Sequence, residues 1–76
     1  MQKLLEILKN LHADIDWANE NGLIDNGLLD SFDIIALVGD INDAFGVFVE
    51  LEHLEPENFN SVEAIAALLK SLGAEI

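Results

Sequence analysis

The segment between Asp30 and Gly46 constrains the fold of this 76-residue chain more than any other part of its sequence. Its apolar side chains recur at helical spacing, which predicts a helix from about Ser31 to Ala44 or Phe45. We expect one buried stripe along this helix, formed by five apolar side chains: Phe32, Ile35, Val38, Ile41 and Phe45.

Both ends of this helix carry signals for its limits. Asp30 is a good N-cap, because its carboxylate can accept a hydrogen bond from the backbone N–H of residue 32 or 33. Asp33 lies in the first turn, where a negative charge complements the helix dipole. Gly46 takes the position that glycine favours after a helix. Gly39 lies inside the helix and should weaken it by up to ~1 kcal/mol relative to alanine; a close helix–helix or partner approach would explain it.

The sequence before this segment predicts a helix followed by a long loop. Leucines at helical spacing indicate a first helix over residues 3–12: Leu4, Leu5, Leu8 and Leu11. Residues 14–25 break that pattern. We expect them to form a loop that is pinned by Trp17, Leu23 and Ile24 packing onto the helices.

The sequence after Gly46 predicts a loop, a short helical turn and a last helix. Residues 47–51 alternate weakly and have no second strand to pair with, so we expect a loop that buries alternate side chains. Pro56 lies near the first position of the short turn. Asn60 or Ser61 caps the last helix, where the sequence resembles a capping box. The inner side of that helix is apolar: Val62, Ile65, Ala66, Leu68, Leu69 and Leu72.

Length and composition limit what the chain can be. We expect a single domain over residues 1–76 with an all-α fold, a small bundle of three main helices plus one short helix. The chain has no cysteine, which excludes disulfides and thiolate metal sites. No apolar run approaches the ~18 residues that a membrane span needs. The start of the chain also lacks the apolar region of a secretory signal, so we expect a cytoplasmic protein.

Charge is the second constraint on function. The chain has fifteen acidic residues and only three basic ones, which gives a formal net charge of -12. Nucleic acids and anionic membranes need clustered Lys and Arg, so neither is an expected partner. Partners should instead present basic patches. An alternative of equal weight is that the acids only keep a small apolar domain soluble, and we expect a monomer.

The sequence offers little for catalysis or for metal binding. A serine nucleophile needs a base and a group that orients it. His12 and His53 are the only imidazoles, and we expect both to face solvent or to cap backbone, so no enzyme activity is expected. Asp14 and Asp16 begin like a calcium loop, but Asn19 stands at the required glycine position. No specific metal site is therefore predicted.

A serine at the start of a helix is common, because it often caps the helix. Ser31 is a candidate functional residue only because of the residues around it. Residues 27–33, Gly-Leu-Leu-Asp-Ser-Phe-Asp, and the apolar helix after them resemble the modification region of the acyl carrier protein family. Residues 59–65 resemble the start of that family's final helix. The resemblance runs from about Leu4 to Leu72, with Phe32 in place of the usual leucine.

The resemblance implies a carrier function. Ser31 would bear a 4′-phosphopantetheine arm, added from coenzyme A by a phosphopantetheinyl transferase, and the arm's thiol would hold an acyl or aminoacyl group as a thioester. Other partners would be a loading ligase and a downstream acyltransferase or synthase with basic docking patches. Carried over by position, the partner-binding residues would be Leu29, Asp30, Phe32, Asp33, Ile34, Asp40 and Asp43. Three further acids would lie near the short helix: Glu50, Glu52 and Glu55.

Several pathways remain open at this point. Ala36 stands where fatty-acid carriers usually have Glu, and Gly39 where they often have Met. The Gly-Leu-Leu-Asp-Ser-Phe run is also similar to D-alanyl carriers of the cell envelope, and polyketide or nonribosomal peptide synthesis is a further possibility. Two other functions compete with a carrier: an unmodified acidic helical interaction module with a carrier fold, and a small hydrolase that uses Ser31.

Overall fold

Four α-helices and one 3₁₀ turn make up the regular structure of the described residues. The computed structural model describes residues 2–75, apart from the side chain of Leu51. The helices follow one another as α1 (Gln2–Leu11), α2 (Ser31–Phe45), α3 (Pro56–Phe59) and α4 (Val62–Ser71), with the 3₁₀ turn at Leu51–His53. The predicted small all-α fold is confirmed, and residues 2–75 contain no strand. The 3₁₀ turn was not predicted. None of the described helices is both long and apolar enough to cross a membrane.

Helices α1 and α2 pack against each other in antiparallel orientation. Near the start of α1, Lys3 donates a hydrogen bond to the carbonyl of Ala44, and its Nζ lies 5.3 Å from the centroid of the Phe45 ring. At the other end, His12 Nε2 lies 2.9 Å from Asp33 Oδ2. The pair is therefore fixed at both ends, by a cation near the carbonyl end of α2 and by an imidazole at its amino end.

The core is one continuous cluster to which every long helix contributes. Seven of its side chains have no exposed surface: Leu4, Leu8, Leu23, Leu37, Ile41, Ile65 and Leu69. Trp17 is only 4 % exposed, and its Nε1 donates a hydrogen bond to the carbonyl of His12 at 3.0 Å. The prediction that Trp17, Leu23 and Ile24 pin the long loop is confirmed, since Trp17 and Leu23 are buried and Ile24 packs partly buried against the core.

The predicted buried stripe of α2 is wrong at its first two positions. Phe32 is 82 % exposed and Ile35 is 66 % exposed. Each three-residue step falls about 60° short of a full turn of 3.6 residues, so Phe32 and Ile41 lie on opposite sides of the helix. The face that meets the core consists instead of two buried residues and three half-buried ones: Leu37 and Ile41, with Ile34, Val38 and Phe45.

The junction between the long loop and α4 depends on Asn60. Its Oδ1 accepts hydrogen bonds from the backbone N–H groups of Ile24 (2.9 Å) and Asp25 (3.1 Å). Ser61 is the N-cap of α4, and its Oγ accepts from the N–H of Ala64 at 3.1 Å. The predicted capping box is wrong, because the third helical position is an alanine and the Asn60 side chain is bonded to the loop.

The segment between α2 and α3 buries alternate side chains, as predicted. Val49 is 5 % exposed whereas Phe48 is 69 % exposed. The backbone N–H of Val49 donates to Asn42 Oδ1 at 3.0 Å, which fixes the segment to α2. Pro56 occupies the first turn of α3, also as predicted.

Candidate functional site

Ser31 is exposed at the first position of α2, directly after the N-cap residue Asp30. Asp30 Oδ1 accepts a hydrogen bond from the N–H of Asp33 at 2.8 Å, and Asp33 Oδ2 accepts from the N–H of Asp30 at 3.3 Å. This reciprocal capping box confirms the predicted N-cap. It fixes the backbone on both sides of Ser31 while the serine itself faces solvent.

Ser31 lies at the amino end of α2, the end of a helix that favours negative charge. The unpaired N–H groups and the dipole of a helix create positive potential at its amino end. Helix α2 is the longest helix of the described chain, at 15 residues. Two carboxylates, Asp30 and Asp33, already use part of that potential, and the imidazole of His12 lies against the second of them.

A cavity of about 500 Å³ opens beside Ser31, between α2 and the segment that leads into α3. Its wall is mainly apolar: Ile24, Leu29, Ile34, Ile35, Leu54, Pro56 and Phe59. Asp30 and Glu55 also line it. A hydrogen bond with Glu57 raises the pKa of Glu55 above its ordinary value, because the two carboxyl groups share a proton more readily than they bear two charges.

A second groove of about 600 Å³ runs along the neighbouring surface of α2. Its apolar residues are Ile35, Val38, Phe48, Val49 and Leu54, and two carboxylates, Glu50 and Glu52, also line it. Ile35 and Leu54 belong to both depressions, so the groove and the cavity adjoin each other. With Phe32, Ile35 and Phe48 largely exposed, this side of the protein presents large apolar side chains next to acidic ones.

The structure distributes the seven sequence-predicted partner residues among surface, intermediate and core positions. Asp30, Phe32, Asp40 and Asp43 are exposed. Leu29 is only 3 % exposed, and its side chain lines the cavity. Ile34 is half-buried and lines the same cavity. The seventh residue, Asp33, is half-buried and already paired within the chain.

His12 does not simply face solvent or cap backbone, which corrects the expectation from the sequence. Its Nε2 lies 2.9 Å from Asp33 Oδ2, and the side chains are 35 % and 22 % exposed. The hydrogen bond to Asp33 raises the pKa of His12 above its ordinary value of 6.5, and nearby Asp14 and Asp30 act in the same direction. The same bond lowers the pKa of Asp33. No local pattern signals a pair whose members are 21 residues apart.

His53 caps backbone, as predicted. Its Nδ1 accepts a hydrogen bond from the N–H of Glu50 at 3.1 Å, at the start of the 3₁₀ turn. The hydrogen bonds of the two imidazoles within residues 2–75 thus lead to Asp33 and to Glu50. In the same part of the chain, no group of three or more His, Asp or Glu side chains is placed to hold a metal ion.

Comparisons with models of known protein families, with curated proteins and with solved structures find no match for this chain.

Proposed function

We propose that this chain is a stand-alone acyl or aminoacyl carrier protein whose cargo is held as a thioester on a 4′-phosphopantetheine arm at Ser31. One observation carries the proposal. The exposed serine of the Gly-Leu-Leu-Asp-Ser-Phe-Asp run begins the longest described helix, and an apolar cavity of about 500 Å³ opens beside it. The resemblance to acyl carrier proteins implies that the group attached to this serine would be 4′-phosphopantetheine.

The modification at Ser31 is a phosphoryl-type transfer from coenzyme A. Ser31 Oγ forms a bond to the phosphorus that bears pantetheine, the pyrophosphate bond breaks, and adenosine 3′,5′-bisphosphate leaves. The hydroxyl proton passes to a base on the phosphopantetheinyl transferase. The product is a phosphodiester, and its negative charge is favoured at the amino end of α2.

The apolar cavity supports a role in holding cargo close to the protein. Its wall comes from α2, α3 and the loop before α2, so a chain attached at Ser31 reaches it directly. Burial of an apolar group in the cavity removes its surface from water, which is favourable by roughly 25 cal/mol per Å² of buried surface. A carrier of this kind needs no catalytic residues of its own, since partner enzymes load and unload the thioester.

The surface around Ser31 suits partners with basic docking patches. Exposed apolar side chains next to acidic ones are complementary to a partner surface on which apolar side chains lie next to Lys and Arg. Phe32 and Ile35 supply the apolar part, and Asp40 and Asp43 lie further along α2. The expected partners are the transferase, a loading ligase, and an acyltransferase or synthase of fatty-acid, polyketide, nonribosomal-peptide or D-alanyl metabolism.

The experiment that tests the proposal is a mass measurement. Purified protein is incubated with coenzyme A and a broad-specificity phosphopantetheinyl transferase, and intact mass spectrometry should show the gain of one arm. Ser31→Ala should gain nothing, whereas Ser71→Ala, a matched change at the far end of α4, should gain one arm like the original chain. A folded protein that gains no mass would rule out the carrier function.

The exposed apolar side chains of Phe32, Ile35 and Phe48 also favour one alternative, an acidic helical interaction module that carries no arm. The two functions differ in the mass of the protein isolated from its native source. A carrier should be found with the arm on Ser31. An interaction module should be found unmodified, bound to a basic partner.

A further inference from the structure

Three hydrogen bonds that involve His12 and Asp33 join separate parts of the chain next to Ser31. His12 Nε2 bonds Asp33 Oδ2 at 2.9 Å, and the same oxygen accepts from the N–H of Asp30 at 3.3 Å. The carbonyl of His12 accepts from Trp17 Nε1 at 3.0 Å. His12 therefore connects the end of α1, the long loop and the first turn of α2, the turn that begins with Ser31.

The surroundings of His12 favour its protonated form. Three carboxylates act on the imidazole: Asp33 and Asp30 at the start of α2, and Asp14 in the loop that follows α1. The end of α1 adds the negative pole of its helix dipole, because His12 directly follows Leu11. Histidine is the side chain whose ordinary pKa allows such surroundings to change its charge near neutral pH.

We propose that His12 is a positioning residue, a pH-dependent clasp that holds Asp33 and thereby steadies the first turn of α2 around Ser31. When His12 is protonated, an ion pair reinforces the hydrogen bond to Asp33 and keeps the carboxylate oriented toward the N–H of Asp30. When it is neutral, only an uncharged donor remains. The turn that presents Ser31 is then held less firmly.

The direction of the pH dependence follows from the two pKa shifts. The pKa of His12 is raised above 6.5, so its stabilising contribution is complete below about that pH and is lost as the pH rises through the higher value in the folded protein. The pKa of Asp33 is lowered from 3.8, so its contribution is present above that pH and is lost as the pH falls further. The clasp is therefore strongest in mildly acidic solution.

The first test follows the imidazole of His12 by NMR across the pH range. We expect its pKa to lie above 6.5 in the original chain and to fall in Asp33→Asn, which keeps the size of the side chain and removes its charge. A pKa of 6.5 or lower in the original chain, or an equal value in Asp33→Asn, would overturn the proposal. This measurement on the original chain does not depend on any variant folding.

The second test compares the unfolding equilibrium of the original chain and His12→Gln at pH 6 and at pH 8.5. The unfolding constant of His12→Gln, divided by that of the original chain, should be larger at pH 6 than at pH 8.5. Both chains share the same fifteen acidic residues, so the ratio cancels most of the pH dependence that these residues give to unfolding. Equal ratios at both pH values would contradict the clasp.

A third measurement shows whether the effect reaches the turn that carries Ser31. The N–H of Asp33 donates to Asp30 Oδ1, so its protection from hydrogen exchange reports on the capping box. Protection should fall in His12→Gln relative to the original chain, and more at pH 6 than at pH 8.5. Unchanged protection would contradict a role at Ser31. None of the three measurements requires an arm, so failure of the carrier function and failure of the clasp are distinguishable.

Discussion

Helices α2 and α4 have similar apolar content, yet they use it differently. Helix α4 buries five of its ten residues in the core: Val62, Ile65, Ala66, Leu68 and Leu69. Helix α2 is longer, at fifteen residues, but buries only Leu37 and Ile41 and leaves Phe32 and Ile35 largely exposed. Helix α4 places most of its large apolar side chains in the core, whereas α2 divides its own between the core and the surface.

The difference originates in the spacing of the apolar residues. In α4 they fall at steps of three and four that return to one side of the helix, from Val62 through Ile65 to Leu69. In α2 they extend around much of its circumference, so some cannot reach the core. The exposed apolar side chains of α2, Phe32 and Ile35, lie next to Ser31 and belong to the docking surface proposed above for a partner.

The largest expected effect separates matched isoleucines in the two helices. Ile65→Ala should lower the free energy of unfolding by about 2–5 kcal/mol, because it opens a cavity at a site with no exposed surface. Ile35→Ala removes the same atoms from a side chain that is 66 % exposed and should stay within about 0.5 kcal/mol. Urea denaturation measures both. Equal losses would show that the side chain of Ile35 is buried in solution.

Removal of the N-cap of α2 should have an intermediate effect. Asp30→Ala deletes the acceptor of the Asp33 N–H bond and should lower the free energy of unfolding by about 1 kcal/mol. Ser61→Ala, the corresponding change at the N-cap of α4, provides the comparison. If Asp30→Ala leaves the unfolding curve unchanged, the capping box does not stabilise α2.

The smallest expected effect is a gain in stability at Gly39. A Cβ placed there meets no atom within 4 Å, and the residue is exposed in the middle of α2. Gly39→Ala should therefore raise the free energy of unfolding by up to about 1 kcal/mol, the difference in helix propensity. A loss of stability would contradict this. A Cβ at Gly39 meets no described atom within 4 Å, so a close helix–helix approach does not explain this glycine.

The sequence predicts those features of the fold that depend on neighbouring residues. The limits of α2 follow from Asp30 and Gly46, and the burial of Trp17 follows from its large apolar side chain. The burial of Phe32 and Ile35 was predicted wrongly, because apolar character alone does not tell which side of a helix faces the core.

The candidate site was predictable only in part for the same reason. Ser31 and its N-cap lie within one turn of helix, and the local pattern was sufficient to place both. The hydrogen bonds of His12 and Asn60 join residues 21 and 36 positions apart, to Asp33 and Ile24 respectively. Such contacts form only when the helices pack together, so no local spacing in the sequence predicts them. The cavity beside Ser31 is likewise a product of packing.

The bonds that Asn60 makes with the long loop have a consequence for the synthesis of the protein. Asn60 follows α3, so a nascent chain that has emerged from the ribosome only through α2 lacks the residue that fixes the backbone at Ile24 and Asp25. The loop leading to Ser31 therefore acquires these bonds only after residue 60 has emerged from the ribosome. Under the proposed carrier function, a transferase that binds this loop would meet its final conformation only after Asn60 has bonded to Ile24 and Asp25.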